Sequence, residues 1–144
     1  MIICSLVTTE QERDEAFCVR KEVFVKEQGI SKALVFDAND DIALHVIARD
    51  NGCVVGTARI LLLTERQAKV ERMAVLSVSR RYGIGKKILQ FMENELRRRE
   101  IRQITLHAQY NTAVFYEACG FRESGKPFLE AGIKHILMKK ELGC

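Results

Sequence analysis

The sequence predicts a mixed α/β (α+β) fold: a central, mixed, twisted sheet of about seven strands flanked by about four helices. Three observations carry this expectation. Short runs rich in β-branched and aliphatic residues recur along the whole chain, bounded by turn residues. Between two of them, at about 83–99, the apolar period changes to 3.6 and marks a long amphipathic helix. A strand–helix–strand unit of that kind closes as a parallel crossover, whereas the three strands before it are close enough in sequence to be antiparallel. The element order read from the chain is β-αα-βββ-α-β-α-ββ.

Residues 2–7 form the first expected strand. Thr9 and Glu12 then have the form of a capping box, Thr9 accepting from the backbone and Glu12 reaching back. Ala16, Phe17, Val19, Val23 and Phe24 follow at helical spacing, so one or two helices run to about Gln28 and end at Gly29. Residues 31–41, which crowd Asp37, Asn39, Asp40 and Asp41, read as a loop. Strands are expected at 42–48 and 53–63 around Asn51-Gly52, a strong hairpin signal. The strand at 68–76 alternates Glu71, Met73 and Val75 on one face with Val70, Arg72, Ala74 and Leu76 on the other. In the long helix, Ile84, Ile88, Leu89, Met92 and Leu96 make the apolar stripe. A strand at 101–108 follows. Asn111 is placed to cap a short helix that runs through Cys119 and closes at Gly120. Residues 121–124 and 133–139 complete the sheet around a loop carrying Pro127.

The 144 residues are 47% hydrophobic and 29% charged, with one proline and nine glycines. This is ordinary globular composition for one domain, 1–144, with no material for a linker. No run approaches the ~18 apolar residues of a membrane span, and the first ten residues have neither a basic start nor a long apolar stretch. Five cysteines, odd in number and without a Cys-x-x-Cys pair, and three scattered histidines predict buried, reduced thiols in a cytoplasmic protein without a metal site. The net charge of +4 does not call for nucleic acid. Arg97, Arg98, Arg99 and Arg102 read as cations at a helix C-terminus.

The segment Arg80-Arg81-Tyr82-Gly83-Ile84-Gly85-Lys86 stands between a strand and the start of the long helix. Unpaired N–H groups and the positive end of the helix dipole make that place an anion site. Two glycines allow close backbone approach, and Arg80, Arg81, Lys86 and Lys87 add charge, which together suit a diphosphate. The segment is not a Walker A loop, since the first glycine is missing and Lys87 follows Lys86. It is not a dinucleotide fingerprint either, since Ile88 holds the third glycine position.

Arg80-x-x-Gly83-x-Gly85 resembles the Gln/Arg-x-x-Gly-x-Gly/Ala signature of the GNAT acyltransferase superfamily. The preceding strand Lys69-Val70-Glu71-Arg72-Met73-Ala74-Val75 and the later Asn111-x-Ala113-x-Phe115-Tyr116-x-x-x-Gly120-Phe121 are similar to that family in the right order. Arg20-x-x-Val23-Phe24-Val25-x-Glu27-Gln28 and Val55-Gly56-Thr57-x-Arg59 resemble a bacterial-type small-molecule branch. The resemblance implies acetyl-CoA as donor, lying where the fourth and fifth strands splay apart. Its arm would run along Met73, Ala74 and Val75, its pyrophosphate on Arg80, Arg81, Tyr82, Gly83, Ile84, Gly85 and Lys86, with Asn111 beside the arm. Tyr116 matches the family's general acid for the departing thiolate. Glu71 is the candidate base, with pairing to Arg72 or Arg59 as its alternative fate and His45, Asp40 or Asp41 as other bases. His107 leads toward the cleft but reads as a structural histidine. Cys119 invites an acyl-cysteine route, which ranks below direct transfer.

By family position the acceptor pocket would draw on Arg20, Phe24, Glu27, His45 and Arg59. The expected activity is N-acetylation of a small-molecule primary amine, with no nucleic-acid or membrane partner. Dimers are common in this family, so a homodimer stays open. One alternative is an acyl-CoA sensor or subunit without catalysis. Another is an acyltransferase using a longer acyl-CoA or an acyl carrier, since Arg20, Phe24, Asp37 and Asp40 resemble in spacing the acyl-homoserine-lactone synthases.

Overall fold

In the computed structural model, which describes residues 1–143, Ile2–Leu6 (β1), Leu44–Asp50 (β2), Cys53–Leu62 (β3), Gln67–Val75 (β4), Gln103–Gln109 (β5), Arg122–Glu130 (β6) and Ile133–Glu141 (β7) share one sheet. Their order is β1-β2-β3-β4-β5-β7-β6. Only β4 and β5 are parallel neighbours, joined by the helix Ile84–Arg98 (α3); every other pairing is antiparallel. The β2–β3 hairpin turns on Asn51 and Gly52, both at positive φ (49° and 90°), as a two-residue turn requires.

The apolar stripe of α3 packs on one face of the sheet. Ile84, Ile88, Leu89, Met92 and Leu96 meet Val46, Ala58, Ile60, Val70, Ile104, Leu106 and Met138 in one buried cluster. Arg97, Arg98 and Arg99 at its end pair back to Glu93 and Glu95. The other face is covered by Glu10–Arg20 (α1), which continues without a break as the π-helical turn Lys21–Glu27. There Val19 and Val23 pack on Ala74. Thr9 caps α1 by accepting from Glu12 N. The return bond of Glu12 goes one residue further back than expected, to Thr8 N and Oγ1.

Residues 31–41 are not the loop expected. They form the short helix Lys32–Val35 (α2) and a 3₁₀ turn, Ala38–Asp41. The clustered acids explain the second: Asp37 accepts from Asn39 N at 3.0 Å, and Asp40 accepts from Asp37 N at 3.2 Å. Likewise β6 runs through Pro127 to Glu130. It is one of the two edge strands, and its register shifts between Ser124 and Phe128, where a proline is tolerated. The thiols differ from expectation as well. Cys18 and Cys53 are exposed, Cys4 and Cys119 are half-buried, and all four are free; Cys144 lies outside the described residues.

The short helix Ala113–Ala118 (α4) ends as its sequence demands. Gly120, at φ 97°, donates to Glu117 O, and Phe121 N donates to Tyr116 O, which completes a Schellman closure. A Cβ on Gly120 would also stand 3.1 Å from Lys140 Cε. Gly120→Ala is expected to lower the unfolding free energy by about 1–2 kcal/mol, read by urea titration. The start of α4 departs from expectation. Asn111 sits inside a 3₁₀ turn, Tyr110–Thr112, and Thr112 holds the cap position with its hydroxyl donating back to Gln109 O at 2.8 Å instead of capping the helix amides.

One irregularity decides the site. Thr57 faces Ala74 and Arg59 faces Glu71, so one residue of β3 stands against two of β4. Arg72 takes the extra place at φ 54°, a β-bulge. The bulge resets the alternation expected from the sequence. Val70 and Met73 both pack toward α3, whereas Glu71 turns to the other face, where it meets Arg59. Glu71 and Met73 therefore do not share a face.

Candidate active site

β4 and β5 stay paired only from Gln67–Gln103 to Val70–Leu106. Past this point β4 leans along the bulge and β5 continues with β7, so the two strands part. A cleft of about 1080 Å³ fills the gap. Its walls include Met73, Ala74 and Val75 on one side and Leu106, His107, Ala108 and Gln109 on the other. Along this part of β4, backbone groups on the β5 side have no strand partner, an open edge for an extended amide-bearing chain.

The cleft ends at the turn before α3. The first backbone bond into the helix is Lys87 N to Gly83 O, and none of the amides of residues 81–86 has an acceptor among the described residues. Arg81 and Gly83 both hold positive φ, 72° and 74°, which curls this run of amides around one point. Gly85 leaves room that a Cβ would fill, 3.1 Å from Met73 Cε and 3.2 Å from Phe115 Cζ. Gly83, Ile84, Gly85, Lys86 and Asn111 line the cleft; Tyr82 is turned out to solvent. These features fit a diphosphate with an extended arm. Arg80 behaves differently from expectation. Its guanidinium forms two 2.6 Å bonds to Glu27 and one to Val75 O, so it clamps the turn to the π-helical segment. Glu27, an expected acceptor-binding residue, is held by the same pair.

Tyr116 lines the cleft on α4, between Phe115 and Phe121, ring centroids at 5.1 and 5.9 Å. Burial, helped by the neighbouring Cys119, pushes its phenol up to about 12. Cys119 itself is no part of the cleft wall, and burial raises its thiol pKa.

The acetyltransferase (GNAT) domain family matches residues 7–142. The chain belongs to the GNAT family. The uncharacterized protein YyaT of Bacillus subtilis is 35% identical over 139 residues, 94% of this chain and 93% of that one. Among solved structures, an acyl-CoA N-acyltransferase from Pseudomonas aeruginosa is 25% identical at a TM-score of 0.83, covering 97% of this chain and 98% of its own. A GNAT family acetyltransferase from Elizabethkingia anophelis with acetyl-CoA bound shares the fold at a TM-score of 0.72 and 16% identity, over 98% of both chains.

Beside the GNAT cleft, on the α1 face, lies a network of charges. Arg59, 1% exposed, donates to Asp37 Oδ1 (2.7 Å) and Oδ2 (3.1 Å), to Asp40 Oδ1 (2.9 Å), and to Glu71 Oε2 through Nε (2.9 Å) and Nη2. Lys69 pairs with the second Glu71 oxygen at 2.9 Å. Burial pushes the Glu71 carboxyl up, but the bonds from Lys69 and Arg59 outweigh it and hold its pKa below the usual value. Arg72 reaches Asp37 and the carbonyls of Leu34 and Val35.

Two expected acceptor residues lie outside the cleft. Arg20, 0% exposed, donates to Asp40 at 2.6 Å and to His45 Nδ1 at 3.2 Å and lies over the Phe17 ring. His45 donates from Nε2 to Asp40 O at 2.8 Å. Both are structural because the charges around them, read from sequence as ligand contacts, pair with one another, leaving only Arg20 Nε without a hydrogen-bond partner among the described residues. Of the five expected acceptor residues, Phe24, Glu27 and Arg59 line the cleft.

His45 is held neutral. Burial lowers its pKa, and this outweighs the bond to the Asp40 backbone, with Arg20 adding to the depression. Its folded pKa thus lies below the unfolded ~6.5, and the unfolded chain binds more protons in that window. The expected result is a Tm that falls as pH drops from 7 to 5, with a shallower fall in His45→Gln, measured by thermal melts.

Sequence reasoning passed over one cluster. His107, Glu130 and His135 all line the cleft, with His107 Nδ1 2.9 Å from Glu130 Oε1. The partners are 23 residues apart and meet only through the β5-β7-β6 order, so no local pattern announces them.

Proposed function

We propose that this GNAT protein transfers the acetyl group of acetyl-CoA to the primary amine of a small molecule, by direct attack in a ternary complex. The observation that carries the reading is the continuity of the cleft from the free amides of residues 81–86, past Tyr116, to the opening between β4 and β5. The acetyl-CoA held by the Elizabethkingia protein of the same fold supports the choice of donor.

In this reading the pyrophosphate sits on the amides of 81–86 and the extended arm runs along Met73, Ala74 and Val75, beside Asn111. A β4 amide facing the gap receives the developing oxyanion. Tyr116 donates to the departing sulfur. Glu71, kept ionised by Arg59 and Lys69, draws a cationic amine toward the opening and can take a proton only through water. Phe24 and the partly exposed Asp37 line the acceptor end.

The test is acetyl-CoA turnover over polyamines, amino acids, amino sugars and peptide N-termini, read by thiol release with mass confirmation of the product. Amine-dependent release with an acetylated product supports the proposal. Tight acetyl-CoA binding without turnover on any amine points to a sensor instead. Running longer acyl-CoAs and an acyl carrier protein in parallel fixes the donor.

A further inference from the structure

Glu71 and His107 are the first residues past the last paired step of β4 and β5, Val70 with Leu106. Val70 and Leu106 enter the core under α3, so the residues that follow them face the opposite side. Parallel neighbours lie ~4.8 Å apart, and here the strands begin to part. A nucleophile entering from the α1 face reaches the gap between these two side chains.

They are not equivalent as bases. Glu71 carries two cationic partners that stabilise its ionised form. The imidazole of His107 is differently held. Its Nδ1 meets Glu130 Oε1 at 2.9 Å, and a carboxylate only accepts, so Nδ1 carries the proton and Nε2 the lone pair. Nε2 has no protein partner among the described residues, and His107 is 29% exposed in the cleft wall. Phe128 stands edge-on to the ring at 5.0 Å and itself stacks on His135, which packs the imidazole in place. His135 is the other cleft imidazole. It donates from Nδ1 to Ile133 O at 2.7 Å, turns Nε2 toward Glu130 at 3.8 Å and is 7% exposed. His107 Nε2 is thus the open imidazole nitrogen of the cleft, beside the point where the sheet splits.

We propose that His107, oriented by Glu130, accepts the proton of the attacking amine. The proposal rests on the acetyltransferase reading above and adds its base. The cationic amine gives one proton to His107 Nε2, the neutral nitrogen then bonds to the thioester carbon, the C–S bond breaks, and the surplus proton left on that nitrogen passes to water. The sulfur leaves as thiolate with a hydrogen bond from Tyr116 and takes its proton from water, and the imidazolium returns its proton to water. Glu130 is a positioning residue: it sets the tautomer and balances the transient charge.

The test uses the full chain, acetyl-CoA, and spermidine, lysine, glucosamine and a peptide N-terminus as acceptors, with hydroxylamine as a nucleophile already neutral at pH 7. For the best amine, His107→Gln is expected to lower kcat by about 10²–10⁴, with acetyl-CoA affinity unchanged. Hydroxylamine, needing no base, is acetylated by wild type and variant at similar rates. Imidazole added to His107→Ala restores amine acetylation, and Glu130→Gln lowers kcat for the amine but not for hydroxylamine. An unchanged kcat in His107→Gln overturns the proposal. So does an equal loss with amine and hydroxylamine without imidazole rescue, which would make His107 structural. A wild-type protein that binds acetyl-CoA and acetylates none of these, hydroxylamine included, overturns the acetyltransferase reading itself.

Discussion

Replacing Arg59 by methionine is expected to lower the unfolding free energy by about 3–5 kcal/mol at pH 7, the range for removing one partner of a buried ion pair. The reasoning starts from position. Arg59 is 1% exposed on β3, and its guanidinium serves Asp40 (5% exposed), Glu71 (13%) and Asp37 (36%) together. Burial opposes its charge, but bonds to Asp37, Glu71 and Asp40 outweigh that and raise its pKa. Methionine keeps the length of the side chain and removes the donors. Asp40 retains Arg20, Glu71 retains Lys69 and Asp37 retains Arg72, which sets the loss within that range rather than above it. The pH dependence has a definite sign. All three carboxyls have folded pKa values below their unfolded ones, so their stabilisation is present above about pH 4 and is lost as pH falls through the folded values. The deficit of Arg59→Met should therefore be largest near neutrality and shrink below pH 4. Urea titrations at pH 7, 5 and 3.5 measure it. A deficit under about 1 kcal/mol, the value of an exposed pair, would show that the network is not acting as a buried one.

The same network explains where sequence reading reached and where it stopped. Features set by neighbours in the chain were legible. The stripe from Ile84 to Leu96, the Asn51-Gly52 hairpin and the Gly120 closure each depend on a few adjacent residues, and the structure places them as expected. The turn at 81–86 was legible for the same reason, since helix N-termini expose amides wherever they occur. Features set by pairing across strands were not. The bulge at Arg72 depends on the register of β3 against β4, and it moved Glu71 to the face opposite Met73. Arg20 and His45 carry chemistry that suits a ligand pocket, and only the packing of α1 over β2 and β3 shows that they bond to Asp40 and to each other. Arg80 and Glu27, read as serving two different ligands, bond to one another across 53 residues. His107 looked like an isolated strand histidine until the sheet order brought Glu130 and Phe128 against it.

Tyr116→Phe is expected to lower kcat by about 10²–10³, the cost of losing one hydrogen-bond donor to a developing anion, with little change in stability or acetyl-CoA affinity. The packing supports the second half: phenylalanine keeps the ring between Phe115 and Phe121 and removes only the hydroxyl. The first half follows from proton affinities. Burial raises the Tyr116 phenol to about 12, whereas an ordinary thiol lies near ~8.5. Complete transfer from that phenol to a released thiolate is uphill by about 3.5 units, or about 5 kcal/mol at 1.36 kcal/mol per unit. The hydroxyl therefore acts chiefly by donating a hydrogen bond to sulfur as the C–S bond lengthens, from a half-buried place in the cleft wall. It also stays protonated throughout the working range, so Tyr116 adds no alkaline limb to the kcat profile below about pH 11. Two measurements separate this from full general-acid transfer: single-turnover rates of Tyr116→Phe at saturating amine, and the wild-type kcat profile between pH 7 and 10. An unchanged chemical step in the variant would remove Tyr116 from the reaction. A wild-type rate that falls across that range, with the fall absent in the variant, would mean a phenol far more acidic than its burial allows.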